Sequence, residues 1–371
     1  MNSAIQNQYT PDYVSPPGET LEEVLEERDM TQAELAERMG RPKKTISEII
    51  NGKAAITPET ALQLERVLGI KASFWNKRER HYREALARRE ESERLSKQVE
   101  WLDQIPVNDM VKQKWIQFYQ DNVEQVREVL NFFGVASPEQ WQTVWGSAKV
   151  YFRKAPAFQS DPGAVAAWLR RGEIEAAEIS CAPYNAGKFK EMLQQVRALT
   201  VEPPEVFQLE VLRLCAAAGV AVVFLPELPK TRTCGATQWL SPDKALIQLS
   251  LRYKTDDHLW FTFFHEAGHI LLHPKRSVFI EFEKKDKDRE EDEANNFAAD
   301  VLIPPLEWKR FLSSGQRKPT IPRIQQFALE IGIAPGIVVG RLQHHEKALS
   351  PRVGNGLKRK LQWVSEALET D

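Results

Sequence analysis

From Thr20 to Leu68, apolar residues recur at helical spacing in short runs separated by turn residues, the pattern of small amphipathic helices around a shared core. Leu21, Val24 and Leu25 mark a first helix. Thr31 with Glu34 three residues on is an N-cap signature, and it opens a helix expected over Gln32 to Met39 that turns Leu35 and Ala36 inward. Gly40 makes the turn into a helix over Lys43 to Ile50, which packs Ile46, Ile49 and Ile50. The stretch from Phe74 to Val99 is rich in Arg and Glu, with Trp75, Tyr82 and Leu86 as apolar anchors, and reads as a solvated connecting helix.

Helical spacing continues from Trp101 to Thr200, with turns at Ser137-Pro138, at Ser160-Asp161-Pro162-Gly163 and at Ala182-Pro183-Tyr184-Asn185. The pattern changes after Val201-Glu202-Pro203-Pro204-Glu205: a helix over Leu209 to Ala218, a buried strand over Val220 to Leu225, and an alternating strand over Lys244 to Leu251. The last of these is expected at the edge of a sheet, where its free backbone groups could pair with an extended peptide. The next helix begins at Thr255-Asp256-Asp257, an N-cap hydroxyl followed by acids, and runs through Trp260, Phe263, Phe264 and Ile270 to Leu272.

These elements predict a mostly α chain with an α+β part built on a small sheet. The expected divisions are a flexible arm over 1–17, a helix-turn-helix over 18–75, a linker helix over 76–100, a helical middle region over 101–200, an α+β domain over 205–345 and a helical tail over 346–371. At 371 residues such a multi-domain division is the expected one.

A formal net charge of -2 excludes a chain that coats nucleic acid along its whole length, so DNA contact must be local. Cys181, Cys215 and Cys234 are odd in number and widely spaced, which suggests neither a disulfide framework nor a paired-cysteine metal site. The polar start, Met1 to Tyr9, lacks the order of a secretory signal, and the apolar run Leu214 to Leu225 is too short for a bilayer. A cytoplasmic protein without membrane partners is expected.

Candidate chemistry sits on the helix beginning at Thr255. His265 and His269 in His265-Glu266-Ala267-Gly268-His269 are four apart, which stacks them about 6 Å from each other on one helix face. Two imidazoles so placed can converge on one zinc ion. Glu266 points beside that ion, where a general base must stand to deprotonate water, and a merely structural zinc site has no use for one. Gly268 removes a side chain where a substrate or a neighbouring strand could approach. A third ligand is expected from the acidic helix Asp288 to Pro304, whose apolar stripe is Ala294, Phe297, Ala298 and Val301. Glu291 lies on its core-facing side, with Glu290 and Glu293 as alternatives. His273, just before Pro274, is expected to cap the helix or support a ligand from outside.

This stretch resembles the ImmA/IrrE family of metallopeptidases over about residues 205–345, through the strand Lys244 to Leu251, the segment Phe261 to His273, Glu291-Asp292-Glu293-Ala294-Asn295-Asn296-Phe297-Ala298, and Phe327 to Val338. The resemblance implies that Glu291 is the third zinc ligand, and that the domain is a zinc peptidase cutting a protein partner, often a transcriptional repressor.

On the helix over Lys43 to Ile50, basic and hydroxyl side chains near the start suit phosphate anchoring and base-edge contacts. The candidates are Arg41, Lys43, Lys44, Thr45 and Ser47, with Asn51 and Lys53 after them and Gln32 on the preceding helix. Residues 15–85, including Asn51-Gly52-Lys53-Ala54-Ala55-Ile56-Thr57-Pro58-Glu59-Thr60-Ala61, resemble the HigA-type antitoxin branch of the helix-turn-helix family. That resemblance implies operator DNA binding as a homodimer, and in many members a cognate toxin.

The expected function is a DNA-binding regulator with a fused zinc endopeptidase that cleaves a protein partner in a toxin-antitoxin, stress or phage-response setting. The alternative is a HigA-like antitoxin or repressor whose zinc domain only senses or binds a partner.

Overall fold

In the computed structural model, which describes residues 14–145, 161–275, 279–282, 289–313, 319–344, 349–350 and 352–364, the chain separates into two compact units, Met1–Val99 and Glu100–Asp371.

In the first unit, α1 (Pro17–Glu26), α2 (Gln32–Met39), α3 (Lys43–Ile50) and α4 (Pro58–Leu68) enclose a core that includes Leu21, Leu35, Ile46, Leu64 and Leu68. The Thr31 hydroxyl accepts a hydrogen bond from the Glu34 amide at 3.1 Å and Gly40 is the left-handed C-cap, so the expected turn between α2 and α3 is present. The long α5 (Ala72–Leu95) corrects the linker reading. Its first half belongs to this core: Trp75 is fully buried, which removes enough apolar surface to contribute about 2–3 kcal/mol. The buried Glu79 carboxylate accepts from the Ile56 amide at 3.0 Å. The expected flexible arm over 1–17 is corrected at its end. Residues 1–13 lie outside the described residues, but Arg78 donates to the Ser15 hydroxyl at 2.9 Å, and Pro17 already opens α1.

In the second unit, α6 (Val107–Lys112), α7 (Asn122–Phe133) and α8 (Pro138–Val144) precede α9 (Pro162–Glu178). Next come α10 (Ala186–Ala198), α11 (Pro204–Ala216), β1 (Val220–Phe224), β2 (Thr233–Ser241) and β3 (Lys244–Leu249). These are followed by α12 (Asp256–Leu272), β4 (Phe279–Phe282), α13 (Arg289–Leu302), α14 (Pro305–Ser313), α15 (Ile321–Ile331) and α16 (Pro335–His344). Among the described residues the four strands form one sheet in the order β1-β3-β2-β4, with β1 parallel to β3 and the other pairs antiparallel.

β3 is therefore central, not an edge. Its Ile247 pairs with Val222 on one side and Thr237 on the other, so its backbone groups are used within the sheet and cannot take a substrate strand. Its alternation has a different cause: both faces of the sheet are covered. Ala245, Ile247 and Leu249 join Phe263 and Phe264 of α12 in the main core. On the other face, the Gln248 amide nitrogen donates to the Trp168 carbonyl at 2.7 Å, and the Trp168 indole donates to the Leu225 carbonyl at 3.2 Å. The middle region is thus not a separate domain, because α9 supplies the cover that one face of the sheet requires. Trp168 is fully buried in that role.

Two further expectations are corrected at the start of α12. Thr255 is the N-cap, but its hydroxyl makes no capping bond. The Asp256 carboxylate instead accepts from the Asp257 amide at 2.9 Å and the Arg359 amide at 3.0 Å. The partner segment belongs to the predicted helical tail, whose described part is a 3-10 turn at Asn355–Leu357 followed by extended chain. Thr255 bridges Lys360, and Lys358 pairs with Asp257 at 2.7 Å, so the described part of the tail is tied to the start of α12. No helix among the described residues is long and apolar enough to cross a membrane.

Candidate metal centre and nucleic-acid interface

α12 is apolar on nearly every side because it lies between the sheet and α13, so its few polar side chains must find partners inside the protein. His265 and His269 are each 1% exposed, and their Nε2 atoms face each other at 2.9 Å. α13 brings Glu291 to the same point: its carboxylate oxygens lie 3.3 Å from His265 Nε2 and 3.4 Å from His269 Nε2. The ligand atoms of these three residues all fall within 4.8 Å of one another.

The helices can approach this closely because of Gly268. A Cβ there would stand 3.2 Å from the Ala294 Cα and 3.1 Å from a Phe297 ring carbon. The space that Gly268 leaves is filled by α13, and its effect is to bring Glu291 within reach of the histidines.

The electrostatics fit a cation. Burial lowers the His269 pKa to about 4, overcoming the pull of Glu291 in the other direction, so the ring is neutral at pH 7. Burial pushes the Glu291 carboxyl up, but the two imidazoles, through hydrogen bonds and charge, hold it well below the usual carboxylate range. A neutral, nearly enclosed nitrogen and an ionised carboxylate thus point at one spot. Tetrahedral bonds of about 2.0–2.2 Å place ligand atoms roughly 3.3–3.6 Å apart. The two His–Glu separations already fall in or near that range, and the His–His pair needs to open by only a few tenths of an ångström. The residues present therefore fit zinc.

Glu266 is fully buried beside this cluster, not in it. The Thr237 hydroxyl of β2 donates to its Oε2 at 2.6 Å. Gly235 on the same strand makes room for the carboxylate, since a Cβ there would stand 2.8 Å from Glu266 Oε1 and 2.6 Å from a Thr262 methyl. Neither Thr237 nor Gly235 stands out in the sequence: β2 is buried on both faces along most of its length and so carries no alternating signal. Of the alternative third ligands, Glu293 meets His273 instead, with Oε2 3.5 Å from His273 Nε2. Glu290 is not in the cluster that could hold an ion.

The candidate DNA-contacting residues divide into two sets. Lys43, Lys44, Asn51 and Lys53 are exposed around α3, while Gln32, Thr45 and Ser47 are half-buried. Asn51 also closes the end of α3, its amide donating to the Ser47 carbonyl at 2.7 Å. Arg41 is turned away from this set: it donates to Gln63 and lies 3.8 Å from Glu59, both on α4.

Comparison with known proteins divides along the same lines. A helix-turn-helix family matches residues 21–75, and the IrrE N-terminal-like domain, a peptidase family, matches residues 215–331. An uncharacterised HTH-type transcriptional regulator, YddM of Escherichia coli strain K12, is 37% identical over 59 residues, covering 16% of this chain and 63% of that protein. Virulence-associated protein A of Dichelobacter nodosus is 42% identical over 52 residues, 14% of this chain and 51% of its own length. The chain thus spans between half and two thirds of these relatives. Among solved structures, an addiction module antidote protein of a HigA family from Coxiella burnetii has 29% identity and a TM-score of 0.21, covering 23% of this chain and 92% of that one.

Proposed function

We propose that this chain, which carries a helix-turn-helix domain and an IrrE N-terminal-like domain, is a DNA-binding regulator whose second unit is a zinc endopeptidase acting on a protein partner. One observation carries the peptidase reading: a buried carboxylate, Glu266, held by the Thr237 hydroxyl beside two imidazoles and a second carboxylate that converge on a single point. A site built only to hold an ion needs the cluster but has no use for Glu266.

In this reading His265, His269 and Glu291 are the zinc ligands. Zinc, when bound by these residues, would supply Lewis acidity and make water a nucleophile near neutral pH. Glu266 accepts the proton of the attacking water and returns it to the leaving amine. Thr237 would hold that carboxylate in place through its charge-assisted hydrogen bond.

The first unit recognises operator DNA through α3. Lys43, Lys44 and Lys53 anchor phosphates, Asn51, Thr45 and Ser47 lie near base edges, and Gln32 reaches a phosphate from α2. Two copies acting as a homodimer would read two half-sites. The protein cut is a partner such as a transcriptional repressor, and a cognate toxin would be a binding partner.

The test uses full-length Glu266→Gln, which should keep stoichiometric zinc and retain an uncut partner that co-purifies with it. Wild-type protein should cleave that partner. If Glu266→Gln cuts it at the wild-type rate, the peptidase reading fails and a partner-binding domain without hydrolysis replaces it.

A further inference from the structure

Beyond the candidate ligands and base, the end of α12 carries a polar arrangement that the cluster itself does not use. His273 is buried, one helical turn past His269, and the two Nδ1 atoms lie 2.9 Å apart. The far side of the His273 ring faces α13, where its Nε2 is 3.5 Å from Glu293 Oε2. Glu293 is in turn fixed by Arg289, whose Nε donates to Oε1 at 2.8 Å.

Only one assignment of protons satisfies this chain of contacts once His269 offers Nε2 to a cation. A ligand nitrogen must be bare, so the proton of the neutral His269 ring sits on Nδ1. His269 Nδ1–H then donates to His273 Nδ1, which must be the unprotonated atom of its ring. The His273 proton therefore sits on Nε2, which lies 3.5 Å from Glu293 Oε2, an ion-pair distance. Each ring is left with one donor and one acceptor, and the series ends on a carboxylate that Arg289 holds from the other side.

We infer that His273 and Glu293 are positioning residues that fix the Nδ1–H tautomer and the ring orientation of His269, leaving its Nε2 as a metal ligand. The usual support for a zinc-bound histidine is a carboxylate or carbonyl bonded to its second nitrogen. Here an imidazole is interposed: His273 lies 2.9 Å from His269 Nδ1 on one side and 3.5 Å from Glu293 Oε2 on the other. The inference rests on the zinc reading of the cluster.

The test measures zinc affinity of the full chain by competition with a chromophoric chelator, a readout independent of any cleavage assay. Removal of such a support weakens metal binding about 10–100-fold, and His273→Ala should fall in that range. In His273→Asn the amide oxygen can replace Nδ1 as the acceptor, so affinity should return to within about five-fold of wild type. Glu293→Ala, one step further from the ion, should lose less than about ten-fold. If His273→Ala does not fold, the contrast between Glu293→Ala and wild type, with His273→Asn as the retained-acceptor control, still decides.

Wild-type affinity in both His273→Ala and Glu293→Ala, with zinc lost in His269→Ala, would overturn the positioning role and leave the zinc site standing. Equal losses in His273→Ala and His273→Asn would also overturn it, since the retained acceptor would then make no difference. Zinc retained at wild-type affinity in His269→Ala would remove the ligand set, and the positioning role with it.

Discussion

Two helices in this chain carry candidate chemistry, and they are built in opposite ways. α12 is enclosed by the sheet, α13 and α16, with His265, Glu266 and His269 all buried. On α3 only Ile46, Ile49 and Ile50 are buried, and the charged positions face outward. A buried polar group must be satisfied within the protein, so on α12 the partners can be named: Glu291 for the two histidines, Thr237 for Glu266. On α3 the partner comes from outside, and the structure fixes only which side chains are available to meet it. The enclosed site should therefore fail sharply when a single group is changed, while the exposed one should weaken by increments.

The sharpest form of that contrast lies within α12 itself. Glu266→Gln should lower the cleavage rate by about 10²–10⁴, the usual contribution of general acid-base catalysis, with zinc content unchanged. His269→Ala should lose both zinc and activity, and Glu291→Ala should bind zinc more weakly than wild type, because three protein groups are needed to hold the ion with one position open. Metal analysis beside a cleavage assay on the partner retained by Glu266→Gln separates the two classes. Equal zinc loss in Glu266→Gln and His269→Ala would mean that Glu266 is part of the ligand set and not its neighbour.

Thr237→Val comes next in size. It removes a hydroxyl while keeping nearly the same volume, and leaves the Glu266 carboxylate without its donor from β2. A hydrogen bond to a charged group is worth about 1.5–3 kcal/mol, so activity should fall by roughly 10–100-fold at constant zinc. A rate within about two-fold of wild type would show that Glu266 is oriented by its own helix and not by the strand.

Much of the enclosed site is legible in the sequence because two side chains that converge from one helix recur at a fixed spacing. His265 and His269 lie one turn apart, and the acidic stretch around Glu291 follows on a helix that packs against theirs, so these residues stand out. Thr237 does not, since a single hydroxyl on a strand buried along most of its length has no spacing to announce it. The central place of β3 is hidden for a related reason. Gln248 and Ser250 look like an exposed face, yet Gln248 is fully buried and donates to Trp168, a residue 80 positions away that local periodicity cannot supply. The first unit is more legible in outline, because its helices are short and end at recognisable caps such as Thr31 and Gly40. Its boundary lies later than the sequence suggests, since the polar surface of α5 hides the Trp75 and Glu79 contacts that bind it to the core.

On the exposed helix, Lys43→Ala with Lys44→Ala should weaken operator binding by about ten-fold at moderate salt. It should also flatten the dependence of log affinity on log salt by about 1.8, at roughly 0.9 for each phosphate no longer engaged. Both side chains are exposed, and Lys44 pairs with Glu48 at 3.7 Å, an exposed pair of little energetic weight, so the fold should be untouched. An unchanged isotherm would remove α3 from the interface.

Arg41 gives the smallest expected effect and the closest test of the exposed side of the comparison. By sequence it belongs with Lys43 and Lys44, a basic residue at the mouth of the recognition helix. In the structure its guanidinium donates to Gln63 and leans toward Glu59, so its charge is partly answered by α4 before any phosphate arrives. Reaching DNA would break those contacts, and the charge it brought would be offset by Glu59 left behind. Arg41→Ala should thus leave the salt slope within about 0.3 of wild type, against the roughly 0.9 expected when one phosphate is released. Stability should change by no more than about 1 kcal/mol, since the ion pair with Glu59 is long and exposed on one side. Titrations of wild type and Arg41→Ala at several salt concentrations decide between the two placements. A slope reduced by about 0.9 would mean that Arg41 swings off α4 to meet a phosphate, and that even the braced residues on this surface are rearranged by the partner.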